Sequence, residues 1–344
     1  MRVDAFNFDL PGERIANRPA RPRDSARLLV VEDELTDAKV RDLPEFLRSG
    51  DLVVVNDTRV IPARLSGQRG QAKVQVTLDR DLGEGKWRAL GNPAKKLQVE
   101  TEIIFSSDFK AVVIAKGERG ILTLDFHCTS EEVLTYLEKH GSVPLPPYIA
   151  RPHGPDGRDV GDYQTIYADE PGAIAAPTAG LHFTPTLLSA LENAGVGLTR
   201  LTLHIGSGTF TPVTVLETRD HKMSAEWGEL SPAAASAINS TRARGGRIVA
   251  VGTTVLRLLE SASDDKGFVK PYKGDTDLFI TPGFRFRVVD LLVTNFHLPK
   301  STLFMLVSAF SGLDRMREAY VYAIGRGYRF YSYGDASLLR LNVI

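Results

Sequence analysis

Asp51-Leu52-Val53-Val54-Val55-Asn56-Asp57 is a short run of four apolar residues closed by Asn-Asp turn chemistry. A run of this length and composition predicts a short buried strand, the kind found inside a layered α/β protein. Outward from it the texture changes twice. From about Ser66 to Cys128, short alternating or β-branched runs recur at Val74/Val76/Leu78, Trp87 to Leu90, Ile103 to Phe105, Ala111 to Ala115 and Leu122/Leu124/Phe126, punctuated by Gly, Asp and Ser. That rhythm predicts a small antiparallel barrel or sandwich. A helix is expected next, with Thr129 and Glu132 as its capping box and Gly141 at its end.

Beyond Pro144-Leu145-Pro146-Pro147 the pattern alternates strands with helices. Thr184-Pro185 and Ser231-Pro232 each set a capping hydroxyl before a proline at the first helical position, and Gly195 and Gly245 mark the stops. Strands are expected at Leu198 to Ile205, Arg247 to Gly252, Leu278 to Ile280 and Leu291 to Asn295. The organisation that follows is an α/β host formed by residues 1–65 and 144–344, interrupted by a β insertion over residues 66–143.

Composition is that of an ordinary soluble globular chain, 43% hydrophobic and 24% charged over 344 residues. One cysteine, Cys128, excludes an intrachain disulfide and a cysteine-rich metal site and suits a reducing compartment. The first residues, Met1-Arg2-Val3-Asp4-Ala5-Phe6-Asn7-Phe8-Asp9, lack the apolar run of a secretory signal, and no segment approaches the length of a membrane span. A cytoplasmic, monomeric protein is expected. The 42 basic and 42 acidic residues cancel, so contact with nucleic acid would rest on local patches.

Four polar segments fall where strands end and loops or helices begin, the usual place for α/β sites. They are Asn56-Asp57-Thr58-Arg59, the run from Ala176 to Phe183, the run from His204 to Phe210 and the run from Thr294 to Lys300. Gly206-Ser207-Gly208 follows a strand, but Thr211 stands where the dinucleotide fingerprint needs glycine, which argues against a nicotinamide cofactor. His182, His204, His221 and His297 lack the close helical pairing and the carboxylate or thiol partners of a zinc site, so no metal is expected. His127, His140 and His153 read as ordinary core or loop residues. Gly252-Thr253-Thr254 opens a helix after a strand, where backbone donors and hydroxyls hold a ligand or simply cap the helix. Arg18, Arg21, Arg23 and Arg27, together with Arg326 and Arg329 near Tyr328, Phe330, Tyr331 and Tyr333, are candidates for phosphates and unstacked bases.

Jointly, Ser25 to Leu29, Asn56 to Arg64, Asp162 to Thr165, Ala175 to Thr184, Thr294 to Ser301 and Tyr328 to Ala336 resemble the signature segments of the S-adenosylmethionine:tRNA ribosyltransferase-isomerases of queuosine biosynthesis, almost end to end. Two positions depart: Ser224 follows His221-Lys222-Met223 where the family usually has a second histidine, and Val255-Leu256 replaces Ser-Val. Glu226 and Arg257 remain in place.

The resemblance implies a distorted α/β barrel host with an inserted small antiparallel β-barrel. It also implies a reaction that joins the ribosyl part of S-adenosylmethionine to the aminomethyl group of a deazaguanine at the tRNA wobble position, giving epoxyqueuosine and releasing adenine and methionine. S-adenosylmethionine is then a consumed substrate, and no resident cofactor is implied. On this reading His182, His204 and His297 move protons, because histidine titrates near operating pH. Asp57 and Glu226 offset the sulfonium or orient a histidine. Asn56, Thr178 and Asn295 hold ribose hydroxyls, with Thr58, Arg59, Gly180, Gly206, Gly208, Thr209, Thr253 and Thr254 completing the substrate site. Phe183, Phe210 and Phe296 are candidates to stack on adenine or face the sulfonium. Arg18, Arg21, Arg23, Arg326 and Arg329 would contact tRNA. The competing functions are S-adenosylmethionine-dependent RNA methylation and non-catalytic RNA binding.

Overall fold

A computed structural model describes residues 1–344 apart from Pro147, Ala150, Pro152, His153, Thr211, Val343 and Ile344, and apart from the side chains of Arg119, Thr209 and Phe210. The strand Leu52–Asn56 sits in the middle of a nine-stranded mixed sheet. From one edge the order is Tyr272–Thr276, Glu226–Leu230, Gly197–Leu203, Leu52–Asn56, Ile248–Val251, Leu291–Asn295, Ala336–Arg340, Arg27–Val31 and Leu35–Lys39. Four neighbours in the centre, Gly197–Leu203, Leu52–Asn56, Ile248–Val251 and Leu291–Asn295, run parallel.

Burial explains why the central strands are continuously apolar rather than alternating. Leu52 and Val54 pack into one core with the helices Pro232–Ala243, Thr253–Ser261, Thr302–Ser311 and Leu313–Gly325. Val53 and Val55 pack into the opposite core with Phe183 and the helix Pro185–Asn193. Thr184 Oγ1 and Ser231 Oγ accept the Leu187 and Ala234 amides, as the capping pattern predicts, and Gly195 and Gly245 take the left-handed conformation that ends each helix.

The expected strand at Leu278 to Ile280 is absent. Tyr272–Thr276, just before it, forms the edge strand instead, paired antiparallel to Glu226–Leu230. Leu278 is held as loop, its carbonyl accepting Arg257 Nε and its amide donating to Thr276 Oγ1.

The second body is a closed antiparallel barrel in the order Ile121–Asp125, Lys86–Asn92, Ala72–Gly83, Arg64–Arg69, Glu102–Ile104 and Lys110–Lys116. Its first strand begins at Arg64, slightly before the boundary expected at residue 66. Val74, Val76, Leu78, Trp87, Ala89, Val113 and Leu122 fill its interior, and Val133 and Leu137 of the helix Ser130–His140 cover it. The chain leaves and re-enters the host at one neck, where Arg64 and Ser142 exchange backbone hydrogen bonds of 3.1 and 3.0 Å. Among the described residues no helix is long and apolar enough to cross a membrane.

Candidate active site

The four parallel strands end side by side, and their carboxyl ends carry Asn56-Asp57-Thr58, the loop from His204 to Gly208, Gly252-Thr253-Thr254 and Asn295-Phe296-His297. This is the place where an α/β sheet binds its ligands. Two clefts lie there. The first is walled by the host alone, with Thr178, Thr253, Thr254, Asn295, His297 and Glu226 in its lining. The second lies between host and barrel and is lined from the host by His204, Gly206, Glu226 and Trp227 and from the barrel by Asp79, Arg80 and Arg88. Glu226 borders both.

In the host cleft the Asn295 side chain is 2% exposed, and its Nδ2 donates to the carbonyls of Tyr331 (3.0 Å) and Ser332 (3.4 Å). Those acceptors fix the amide orientation and leave Oδ1 buried without a hydrogen-bond partner among the described residues. Thr254 Oγ1 is in the same state. Most buried polar atoms in native proteins are paired, so two orphans lining one cleft, one at a strand end and one at a helix N-terminus, mark a place suited to a ligand's donors and acceptors. Nearby, Glu226 and Arg257 form a buried ion pair of 2.5 Å, and Arg257 also donates to the carbonyls of Leu278 and Thr276. Glu226 Oε1 accepts the Gly206 amide at 3.3 Å.

The three histidines differ in setting but share an electrostatic state. His182 is fully enclosed, 3.3 Å from Asn295 Nδ2, and burial depresses its pKa to about 4. His297, bonded to Thr294 Oγ1 at 3.1 Å, is pushed down by burial to about 3. His204 Nδ1 lies 2.7 Å from Thr58 Oγ1, and burial lowers it to about 4. Burial thus holds all three below the ordinary histidine value and favours the neutral imidazole. His204 stacks on the Trp227 ring, 5.2 Å away, and Gly172 approaches so closely that a Cβ there would come within 2.8 Å of the imidazole.

Several other expected ligand contacts are spent internally. The Asn56 amide accepts from the Thr58 and Leu203 amides and donates to the Leu203 carbonyl, bracing two strands. Asp57 lines neither cleft. Its carboxylate accepts Thr202 Oγ1 at 2.7 Å, and burial raises its pKa. Arg59 pairs with Glu138 of the barrel's helix, and Gly180 leaves room for the Tyr167 hydroxyl. Phe183 and Phe296 are fully buried in the two cores and face no cleft. The side chains of Thr209 and Phe210, and all of His153, lie outside the described residues. Gly208 sits against the Ser224 side chain, leaving no space for a Cβ there, while Val255 packs in the host core.

The arginines expected to meet tRNA are mostly engaged within the protein. Arg18 binds Asp156, Asp159 and Asp162, and Arg21 binds Asp162 at 2.9 Å. Arg23 donates to the carbonyls of Gln164 and Gly161, and Arg329 pairs with Asp335. Acidic residues that follow in the chain neutralise most of this group, which local sequence could not show. Arg326 stays exposed beside the Tyr322 ring.

The barrel's contribution to the second cleft was missed. Asp79 follows the alternating Val74/Val76/Leu78 run and is 7% exposed, at a register shift between Leu78 and Arg80 that turns it toward the host. It accepts the Ser207 amide and Arg88 Nε, each at 2.7 Å. By strand alternation Asp79 falls on the polar face with Gln75 and Thr77, so nothing in the sequence singles it out; the register shift buries it. Among the described residues no group of His, Cys, Asp and Glu is arranged to hold a metal ion.

A family profile described as Queuosine biosynthesis protein matches residues 3–339. The chain is 58% identical over 340 residues to a Rhodospirillum rubrum protein named S-adenosylmethionine:tRNA ribosyltransferase-isomerase, covering 98% of both chains. It is 57% identical over 346 residues to the protein of that name from Parvibaculum lavamentivorans, covering 98% of this chain and 99% of the other. A crystal structure of S-adenosylmethionine tRNA ribosyltransferase from Thermotoga maritima is similar with a TM-score of 0.56 at 36% identity, covering 97% of this chain and 99% of that one.

Proposed function

We propose, from the premise that the chain belongs to the queuosine biosynthesis protein family, that it is an S-adenosylmethionine:tRNA ribosyltransferase-isomerase acting in the cytoplasm. It transfers and isomerises the ribosyl group of S-adenosylmethionine onto the aminomethyl-deazaguanine wobble base of tRNA, giving epoxyqueuosine with release of adenine and methionine. S-adenosylmethionine is consumed as a substrate, and no resident cofactor enters the scheme.

The observation that carries the reading is the host cleft's two buried oxygens without a hydrogen-bond partner among the described residues, Asn295 Oδ1 at the end of the strand Leu291–Asn295 and Thr254 Oγ1 at the start of the helix Thr253–Ser261. Ribose hydroxyls both donate and accept, so they suit this pair, with Thr178 and Thr253 beside them. Glu226, on the boundary between the clefts, offsets the sulfonium charge. The sulfonium acidifies the adjoining ribosyl carbon, and a nearby base starts the loss of adenine by removing its proton.

His204, at the edge of the second cleft, is assigned the proton traffic. Thr58 fixes its Nδ1 side and Trp227 its ring plane. His182 and His297, more deeply buried, hold Asn295 and Thr294 in place as positioning residues. Asn56 and Asp57 set the strand ends that carry Thr58 and His204. Of the arginines, Arg21 and Arg326 keep exposure for tRNA phosphates. Residues 66–143 are read as an insertion in the host.

The test is product identity. Incubated with S-adenosylmethionine and tRNA bearing the aminomethyl precursor, the protein should release adenine and methionine. S-adenosylhomocysteine in their place would overturn the reading in favour of methyl transfer.

A further inference from the structure

Asp162-Tyr163-Gln164-Thr165 reaches the host cleft through one side chain, Tyr163. The residues on either side pin it in place. Asp162 accepts from Arg18 at 3.2 Å and from Arg21 at 2.9 Å, and Gln164 exchanges hydrogen bonds of 3.0 and 3.1 Å with the Val60 backbone. The Tyr163 ring meets that of Tyr333 edge-on, with centroids 5.9 Å apart. Tyr163 is 1% exposed, and its hydroxyl is buried without a hydrogen-bond partner among the described residues. The Ala176 amide and the Ser332 hydroxyl lie near that oxygen without closing a hydrogen bond, and Ser332 accepts the Tyr148 hydroxyl instead. A buried hydroxyl fixed at a cleft wall with its proton undonated is costly to the fold unless a ligand accepts it.

The wall around this group is largely apolar, with Ala175, Ala176, Pro177 and Leu303 lining the same cleft and Tyr331 beside them. Tyr331 takes a φ of +75°, a left-handed conformation that a bulky residue adopts only where its surroundings impose it, and its ring lies 3.9 Å from that of Tyr148. Burial raises the Tyr163 pKa well above the ordinary tyrosine value, so the group stays an O–H donor at working pH.

We propose that the Tyr163 hydroxyl is a catalytic group of the ribosyl transfer, donating a hydrogen bond to N3 or N7 of adenine and stabilising that base as it leaves. The assignment rests on the ribosyl-transfer reading above. When the bond from the ribosyl carbon to adenine breaks, its electron pair stays on the purine, and N3 and N7 share the negative charge with N9. A fixed donor in a buried pocket gains strength as that charge grows. Ribose hydroxyls and the methionine ammonium can donate back to an oxygen, whereas these ring nitrogens only accept, which matches a hydroxyl whose proton is free. Tyr163 keeps that proton throughout, and water protonates the adenine anion once it is released.

Tyr163→Phe removes the hydroxyl alone. At saturating precursor tRNA, kcat for adenine release should fall on the order of 10²-fold, the scale of one lost donor to transition-state charge, while the KM for S-adenosylmethionine stays within about twofold and the melting temperature is unchanged. Thr165→Val is the control. It removes another buried hydroxyl without a partner among the described residues, one that does not line the cleft, and should leave kcat as it is. S-adenosylmethionine analogues built on 3-deazaadenine or 7-deazaadenine then locate the contact. Replacing the accepting nitrogen by carbon should bring the ratio of wild-type to Tyr163→Phe rates to about one, while the other analogue preserves it. The assignment is overturned, and the reaction stands, if wild-type protein releases adenine and Tyr163→Phe does so as fast, if only the KM moves, if Thr165→Val loses as much, or if the ratio is the same with all three substrates. If wild-type protein releases no adenine, the ribosyl-transfer reading itself fails.

Discussion

The host cleft and the barrel cleft treat their polar groups in opposite ways. In the first, Asn295 Oδ1 and Thr254 Oγ1 are buried without a hydrogen-bond partner among the described residues. In the second, most charges are already matched: Asp79 with Arg88 and Ser207, and Arg80 with Asp275. A surface with unsatisfied atoms gains from a ligand what folding left undone, while a surface of matched pairs first has to hold two bodies together. The host cleft is thus prepared in advance by one sheet. The barrel cleft exists only where two bodies meet.

Acidification applies the largest perturbation across both clefts. The ordinary histidine value is 6.5, but burial holds His182 and His204 near 4 and His297 near 3. The unfolded chain binds protons that the folded chain refuses, so stability present above pH 6.5 is lost as pH falls toward 4, by up to about 1.4 kcal/mol per pH unit for each histidine. Melting temperature should fall steeply over that window, and less steeply in His204→Gln. A flat profile would mean that the imidazoles are hydrated and the two clefts are alike.

Glu226→Gln strikes the residue that both clefts share. It leaves Arg257 charged and buried, so unfolding free energy should drop by about 3–5 kcal/mol in a denaturant titration, with turnover largely lost. Full stability with low turnover would place Glu226 in the chemistry alone.

His204→Gln should keep the fold and much of the binding but lower turnover on the order of 10²-fold, the usual scale for a lost general acid or base. A lowered melting temperature at pH 8 with near-normal turnover would reduce His204 to a buried hydrogen-bond partner of Thr58.

In the host cleft, Thr254→Val removes a hydroxyl without a hydrogen-bond partner among the described residues. Stability should move by less than about 0.5 kcal/mol, while the KM for S-adenosylmethionine rises about tenfold. A loss of stability with unchanged KM would show that the hydroxyl serves the fold. The smallest effect belongs to Arg59→Ala, where the exposed pair with Glu138 contributes less than about 1 kcal/mol and no change in KM is expected.

These residues also show what the sequence made legible. The strand Leu52–Asn56, the capping residues Thr129, Thr184 and Ser231, and the stops at Gly195 and Gly245 were readable because each is set by neighbours within a few positions. Asn56 was recognised as a polar strand end, yet its amide turns to Leu203, far along the chain. Phe183 and Phe296 have the composition of a stacking platform and the burial of a core, which only packing distinguishes. Arg18 reads as a free cation in the sequence because the acids that engage it arrive more than a hundred residues later. Asp79 was hidden for another reason: a register shift redirects it, and such a shift leaves no period in the sequence to read.

The neck formed by Arg64 and Ser142 has an evolutionary reading. Because the chain departs and returns at neighbouring backbone positions, the insertion can lengthen, shorten or be exchanged without altering the spacing between the host strands on either side of it. Drift in the inserted segment is therefore disciplined chiefly by what it presents to the neighbouring sheet.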